Sequence, residues 1–234
     1  RESYAALGVR TPCCVIPNGI DLPSAQLPQA QVHKMLSSLG IEPQHQVVLF
    51  MGRLHPVKGA DRLLEAFLRT AAQHPNARLV LAGPDEFGIE ATFRQRVRSS
   101  GLQGRVSFPG MVSGQRKATL LERADLFGLP SDAEGFSMAI LEALANRTAV
   151  LISPRFHFDQ VRQSGAGVIV EPTIEALQAA LDEMLANPTR LREMGAAGRA
   201  LVSQGYTWSS VASQMIGAYE EGVARHRRLF SAVR

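Results

Sequence analysis

Cysteine is scarce in this chain of 234 residues. The two cysteines are the neighbours Cys13 and Cys14, which rules out a disulfide framework and a zinc site built on thiolates. Aromatic residues that stack on bases are also few, with 3 Tyr and 1 Trp. The sequence has no apolar run long enough to span a bilayer, and Arg1-Glu2-Ser3-Tyr4 does not begin a signal peptide. These absences favour a reducing, cytoplasmic location.

The charge balance is weakly basic, with a formal net charge of +4. A basic balance suits nucleic acid, an anionic membrane surface or phosphorylated ligands. Because the basic residues are scattered rather than aligned along one stripe, nucleic acid is not expected as a partner. A basic cluster at residues 225–230 leaves peripheral contact with the inner face of a membrane open, although a solvated tail explains it more simply.

Apolar runs alternate with segments of helical periodicity along most of the chain. The predicted strands cover residues 47–51, 79–82, 106–108, 125–129, 149–152 and 168–170. The predicted helices cover residues 61–73, 91–100, 115–124, 137–145, 159–163, 173–186, 188–204 and 208–224. An exposed loop is predicted at 21–30. The alternation predicts an α/β fold, a Rossmann-like doubly wound parallel sheet of about six strands with helices on both faces and a helical C-terminal extension.

Two glutamates stand eight residues apart just after the apolar run 126–130. Glu134 falls in a loop after a strand, and Glu142 falls in the helix that this loop opens. Taken singly, each is most simply a surface carboxylate. Together they are expected at the carboxyl edge of the sheet, where open α/β sheets bind ligands. Because helix N-termini bind phosphate and a carboxylate can accept two hydroxyl donors, this unit suggests a nucleotide-sugar site.

The loop after the first strand carries two cations, Arg53 and Lys58, beside Gly52. Its sequence fits neither a Walker A loop nor the glycine fingerprint of dinucleotide-binding dehydrogenases. Two solvated cations are the simplest interpretation of such a pair. Their position at the end of a strand nevertheless favours a phosphate site, since an arginine grips phosphate oxygens in pairs and a lysine supplies a mobile charge.

At these residues the chain resembles the retaining glycosyltransferases of family four, which have the GT-B fold. The E-x7-E motif of their donor-binding domain corresponds to Glu134 to Glu142. Further matches follow in family order: Pro17-Asn18-Gly19-Ile20-Asp21, Gly52-Arg53-Leu54 with Lys58-Gly59, Leu81-Ala82-Gly83-Pro84, Val106-Ser107-Phe108-Pro109-Gly110, Pro130-Ser131 and Tyr206-Thr207-Trp208. Each motif is weak alone, but the ordered set is specific.

The resemblance implies one half of a GT-B fold and a division of the chain. Residues 1–30 would be the linker between domains and the start of this one, 31–204 the nucleotide-sugar (donor) binding domain, and 205–234 a crossover helix with a basic tail. The N-terminal, acceptor-binding domain would lie outside this chain. The isolated domain is therefore expected to transfer sugar weakly or not at all.

The resemblance also implies residue roles. Arg53 and Lys58 would bind the diphosphate and stabilise it as a leaving group, and Glu134 would hold hydroxyls of the transferred sugar, so these three are the predicted catalytic residues. Glu142 would bind the ribose. The remaining predicted donor-binding residues are Gly52, Gly135, Phe136, Ser137 and Met138, with segment 108–113 along the base. The implied reaction retains configuration and uses no metal or other cofactor. Its substrates would be a UDP- or GDP-linked sugar and a glycan or lipid acceptor.

The chain departs from the family at two places. Arg147 and Ala149 stand where a Gly and a Pro are usual, and residues 154–158 replace a common Gly-Gly pair. Both changes are expected to crowd a loop near the sugar pocket. His157 could be a catalytic base, although packing among aromatic residues is the simpler role. A non-catalytic nucleotide- or anion-binding module with the same fold is the alternative function. Another GT-B enzyme, such as an epimerase or phosphorylase, would need catalytic residues that we do not recognise in this sequence.

Overall fold

A computed structural model of the protein describes residues 8, 13–23 and 29–231, with the backbone alone for 228–231. Parts of the predicted linker and the end of the basic tail lie outside the described residues. The strands are β1 (Gln46–Met51), β2 (Ala77–Ala82), β3 (Val106–Gly110), β4 (Leu126–Leu129), β5 (Ala149–Ile152) and β6 (Gly167–Ile169). The helices are α1 (Gln29–Ser38), α2 (Ala60–Thr70), α3 (Glu90–Ser99), α4 (Gly114–Arg123), α5 (Met138–Ala145), α6 (Gln160–Gln163), α7 (Ile174–Leu185), α8 (Pro188–Gly205) and α9 (Trp208–Ser231), with short 3₁₀ turns at Pro56–Lys58 and Pro154–Phe156.

The six strands form one sheet in the order β3-β2-β1-β4-β5-β6, and every pairing in it is parallel. This arrangement confirms the predicted doubly wound α/β fold. The strand order reverses between β1 and β4, so the helices that follow these two strands lie on opposite faces of the sheet. The resulting crevice at the carboxyl ends of the two strands is where sheets of this topology bind ligands.

The central strands are apolar along their length because helices cover both faces of the sheet. Val47, Val48, Leu49 and Phe50 of β1 are fully buried. The neighbouring helix α2 is amphipathic, and it buries Leu63, Leu64 and Phe67 while packing against β4 and α7. The core therefore runs continuously through the sheet and fixes the position of the loops at its carboxyl edge.

The first and last helices differ from the sequence expectations. The helix α1 has no counterpart among the predicted helices, and it begins at Gln29, inside the stretch predicted to be a loop. It is polar and buries Leu36 alone, so its apolar periodicity is weak. The helix α9 extends to Ser231, beyond its predicted end at residue 224. Within the part of the chain that the structure describes, we find no helix whose length and apolar character would suit a membrane span.

Candidate functional site

Two loops meet at the carboxyl edge of the sheet, one after β1 and one after β4. The carbonyl oxygen of Val57 accepts hydrogen bonds from the Asp132 N–H at 2.8 Å and from the Ser131 hydroxyl at 2.9 Å. Gly59 has φ of 71°, and a Cβ atom there would lie 2.2 Å from the carbonyl oxygen of Pro130. Only glycine fits this close approach, which holds the two loops in fixed register.

The same contact brings two sequence-predicted residues together. The Lys58 ammonium donates a hydrogen bond to Oε2 of Glu134, and the Ser131 hydroxyl lies 3.5 Å from that oxygen. Both side chains are largely buried, with 19% and 15% of their surface exposed. An ammonium has three N–H donors and a carboxylate has several acceptor positions, so each group retains capacity for a ligand. The pair therefore offers a cation and an anion side by side in the crevice.

Arg53 is placed differently from Lys58. Its guanidinium is 56% exposed and forms an ion pair at 3.0 Å with Glu86, in the loop after β2. The backbone below it is tightly packed, because a Cβ atom at Gly83 would lie 1.7 Å from the carbonyl oxygen of Gly52. The close backbone approach thus occurs at Gly83, whereas Gly52 meets only ordinary side-chain contacts. Arg53 stands at the rim of the crevice on a rigid base.

The loop after β2 is organised by Asp85. Its carboxylate accepts hydrogen bonds from the N–H groups of Ile89 at 2.9 Å and Glu90 at 3.0 Å. Desolvation acts to raise the pKa of the Asp85 carboxyl, but the surrounding backbone N–H groups outweigh it and bring the pKa below its ordinary value. The ring of Phe87 meets that of His55 edge-on at 4.6 Å. Glu86, the partner of Arg53, is therefore presented by an ordered loop.

The helix α5 points its N-terminus into the same edge. Ser137 is the N-cap but makes no side-chain cap hydrogen bond. The helical N–H groups at this end are those of Met138, Ala139 and Ile140, so only Met138 of the three amides predicted to bind an anion lies within the helix. The amides of Phe136 and Ser137 lie in the loop before it. An anion at this end would meet unpaired backbone donors.

Aromatic side chains pack against the side chain of Phe136 in that loop. The ring of Phe136, next to the exposed Gly135, lies 6.1 Å from Phe158 and 6.2 Å from Tyr206. Burial raises the pKa of the Tyr206 hydroxyl. Phe158 belongs to the segment that replaces the family's usual glycine pair, so this departure supports the loop of Glu134. His157 is exposed, and the expectation that it packs among aromatic residues is wrong.

Glu142 projects from the middle of α5 and has a partner that the sequence did not predict. The Lys117 ammonium, on α4, donates a hydrogen bond to Oε1 of Glu142 at 2.6 Å. The side chains are 34% and 23% exposed. Because 25 residues separate the two in sequence and each lies on its own helix, no local pattern signals the pair.

The expected crowding of the sugar pocket at Arg147 is wrong. This residue follows the C-terminus of α5, which runs back to the amino edge of the sheet, away from the crevice. Its carbonyl oxygen lies against Gly195 of α8. The segment predicted to line a base, residues 108–113, comprises the last three residues of β3 and the loop after it, at the carboxyl edge of the sheet. The Arg94 guanidinium lies 4.6 Å above the Phe108 ring. Among the described residues, no group of three or more His, Cys, Asp or Glu side chains is arranged to hold a metal ion.

The fold and the crevice define a doubly wound α/β domain with paired acids and cations at the carboxyl edge of its sheet. The sequence profile of the glycosyl transferases group 1 family matches residues 33–201, and the chain belongs to that family. The matched region runs from α1 to α8, so it contains every strand of the sheet and each of the charged pairs described above.

The chain is similar to glycosyltransferases of several bacteria. The chain is 31% identical over 217 residues to D-inositol 3-phosphate glycosyltransferase of Segniliparus rotundus, covering 88% of this chain and 46% of that protein. It is 32% identical over 213 residues to phosphatidyl-myo-inositol mannosyltransferase of Mycobacterium tuberculosis, covering 88% and 53%. It is 28% identical over 212 residues to a GDP-mannose-dependent mannosyltransferase of Corynebacterium glutamicum, covering 86% and 54%. The chain thus spans about half the length of these relatives.

Solved structures share the fold. The C-terminal domain of a glycosyl transferase group 1 protein, LpcC of Francisella tularensis, superimposes with a TM-score of 0.70 at 22% identity, covering 81% of this chain and 100% of that one. HepE of Anabaena, solved in complex with UDP and glucose, superimposes with a TM-score of 0.76 at 22% identity, covering 89% of this chain and 57% of that one.

Proposed function

We propose that this chain is the donor-binding part of a glycosyltransferase, which transfers a sugar from a nucleoside-diphosphate sugar to a glycan or lipid acceptor. The observation that carries the proposal is the Lys58–Glu134 pair, which the loops after β1 and β4 hold in the crevice. Two further findings support it. The Corynebacterium relative is named as GDP-mannose-dependent, and the Anabaena neighbour binds UDP and glucose.

The proposed chemistry follows from where negative charge develops. As the bond from the sugar to the nucleoside diphosphate breaks, the diphosphate gains charge, and cations already in position stabilise that change most effectively. Lys58 would act from within the crevice and Arg53 from its rim, after exchanging Glu86 for phosphate. The N-terminal amides of α5 would accept the remaining charge. Glu134 would hold hydroxyls of the transferred sugar, and Glu142 the ribose.

Retention of configuration and independence from metal ions are part of the proposal and derive from the family resemblance. The proposal also includes an N-terminal, acceptor-binding domain outside this chain. Without that domain, the chain would be weakly active or inactive. The boundaries of the donor-binding domain, after residue 30 and at residue 204, stay predictions. A cytoplasmic location and peripheral membrane contact also stay predictions. The roles of the individual site residues are likewise proposals that the following two experiments address.

The first experiment measures thermal unfolding of the chain with UDP, GDP and ADP and with their sugar conjugates. A ligand at about 100 times its dissociation constant adds about 2.7 kcal/mol to the free energy of unfolding. At about 2–4 °C per kcal/mol, the midpoint should rise by several degrees. We expect Lys58→Ala and Arg53→Ala to reduce this shift and Arg96→Ala, an exposed residue of α3, to leave it unchanged. A protein that none of these nucleotides stabilises would contradict the proposal.

The second experiment tests the role of Glu134 in the protein together with its acceptor-binding part. We expect Glu134→Ala to lower the rate of transfer by at least about a hundredfold while nucleotide binding changes little, because the carboxylate acts on the sugar. Steady-state transfer assays and calorimetric binding of the nucleotide separate the two effects. Nucleotide binding without transfer in the unaltered protein would instead support the non-catalytic module.

A further inference from the structure

Two cations pair with the proposed donor-binding acids among the described residues, and the proposed chemistry gives a role to Lys58 but none to Lys117. It lies in the first turn of α4, where its N–H donates to the carbonyl oxygen of Ser113 at 3.4 Å. Its ammonium reaches across to α5 and contacts Oε1 of Glu142 at 2.6 Å. The lysine thus links the end of the base-lining segment, at Ser113, to the acid proposed to bind the ribose.

The contact constrains what Glu142 can do. A glutamate on a helix has three side-chain torsions, and a carboxylate that binds a diol must present its oxygens in one orientation. The Lys117 ammonium holds Oε1 of that carboxylate by a hydrogen bond of 2.6 Å. Because the two side chains are only 34% and 23% exposed, water screens the pair less than it screens a fully exposed ion pair.

The backbone beneath Glu142 is fixed as well. Its carbonyl oxygen accepts a hydrogen bond from the side-chain amide of Asn146 at 2.8 Å, and its neighbours Leu141 and Ala143 are fully buried. The side chain is therefore the part of this residue that retains freedom. A cation on the adjacent helix is well placed to remove that freedom.

We propose that Lys117 is a positioning residue that orients Glu142 toward the ribose diol and so sets the preference for ribonucleotides over 2′-deoxyribonucleotides. This inference rests on the proposed function. Lys117 acts through Glu142 and touches the nucleotide only indirectly. Its contribution should therefore appear in the discrimination between two sugars rather than in binding of the diphosphate.

The test compares calorimetric affinities for UDP and dUDP, and for GDP and dGDP, using whichever pair binds. A lost hydrogen bond to a charged group corresponds to about a tenfold or larger loss of affinity, so we expect the unaltered protein to prefer the ribonucleotide by about tenfold. Lys117→Met and Lys117→Gln should reduce the preference to about twofold, and Lys117→Arg should retain most of it. Arg116→Met, at an exposed neighbour on the same helix, is the matched control and should leave the preference unchanged.

The background of Glu142→Gln separates positioning from direct contact. If Lys117 acts through Glu142, Lys117→Met should have little further effect on the preference in that background. An equal effect in both backgrounds overturns the inference, and so does an unchanged preference in a Lys117→Met protein that melts normally. If neither nucleotide pair binds to the unaltered protein, both this inference and the proposed function fail. If the nucleotides bind but Lys117→Met leaves the preference for the ribonucleotide unchanged, only this inference fails.

Discussion

Arg147, like His157, is a non-glycine residue with a left-handed backbone conformation. Its φ of 62° lies in the left-handed region, which costs an L-residue about 1–2 kcal/mol relative to the right-handed one. The turn cannot relax outward, because its carbonyl oxygen packs against α8, where a Cβ atom at Gly195 would come within 1.9 Å. The glycine that the family usually has at this position would adopt the conformation at little cost.

We expect Arg147→Gly to raise the free energy of unfolding by about 0.5–1 kcal/mol, since relief of the left-handed strain exceeds the added freedom of the unfolded chain. Chemical denaturation measures the change. Asn146→Gly is the control, because Asn146 has φ of −89° and its side chain bonds to Glu142, and it should be destabilising. A destabilised Arg147→Gly protein would show that the arginine side chain outweighs the strain.

For single residues, the sequence predicts which side chains lie at the site better than it predicts their ion-pair partners. Lys58, Glu134 and Glu142 stand in motifs whose spacing places them at one sheet edge, and the structure puts them there. Their ion pairs involve residues 76 and 25 positions away in the chain, and Arg53 meets Glu86 at a separation of 33. Such pairings depend on how helices and loops pack, which no local pattern encodes.

The turn from β1 into α2 is the element that holds the site together. The 3₁₀ turn Pro56–Lys58 presents Lys58, and Gly59 then reverses the backbone beneath the carbonyl of Pro130. The guanidinium of Arg62, one turn further on, grips both carboxylate oxygens of Asp132 at 2.8 Å. Any displacement at Gly59 is therefore passed directly to the loop of Glu134.

We expect Gly59→Ala to cost more stability than Gly101→Ala, although the two glycines share a φ of 71°. The shared left-handed penalty is about 1–2 kcal/mol. A Cβ atom at Gly101 meets open space, whereas one at Gly59 collides with the Pro130 carbonyl, so the difference measures the clash alone. Denaturant unfolding of the two variants measures this difference in the free energy of unfolding, and we expect Gly59→Ala to be less stable by at least about 1 kcal/mol. Equal losses of stability in the two variants would mean that the loops after β1 and β4 move apart at no energetic cost.

Among the elements, strands are predicted more accurately than the first helix. The four inner strands, β2, β1, β4 and β5, are buried on both faces, so most of each is a continuous apolar run. The helix α1 buries so little that its sequence resembles a loop, and its position is set by contact with α4. The predicted helix 208–224 ends before α9 does, and apolar residues from the middle of α9 onward, such as Tyr219 and Val223, are exposed.

At the scale of the whole molecule, α9 carries an exposed apolar face. Trp208, Met215, Ile216, Tyr219 and Val223 are 43–66% exposed, and their spacing places them on one side of the helix. Val211, near the start, is buried. A contiguous apolar face of this kind marks a contact surface. We expect the proposed acceptor-binding domain to cover it.

We expect the chain alone to bind a hydrophobic dye, and Ile216→Glu with Tyr219→Glu to abolish most of that binding. Because both residues are exposed, the free energy of unfolding should change by less than about 0.5 kcal/mol per site. Val211→Ala, which opens a small cavity at a buried position, should instead lower stability by about 1–2 kcal/mol without reducing dye binding. Dye fluorescence and chemical denaturation distinguish the two effects. Unchanged dye binding in the double variant would place the apolar surface elsewhere.

The start of α9 is bonded to the segment that leads into the domain. The N–H of Ile20 donates to the carbonyl oxygen of Tyr206 at 2.9 Å, Ile20 bridges to Thr207, and Gly19 lies so close to Trp208 that a Cβ atom would collide with the indole. Two stretches of backbone are thus clamped side by side. Mechanically, this is a two-strand flexure, in which a force on one strand is shared by the other. Bending within the common plane of the strands is stiff, and the soft motion is bending out of that plane, about an axis that lies in the plane and crosses both strands.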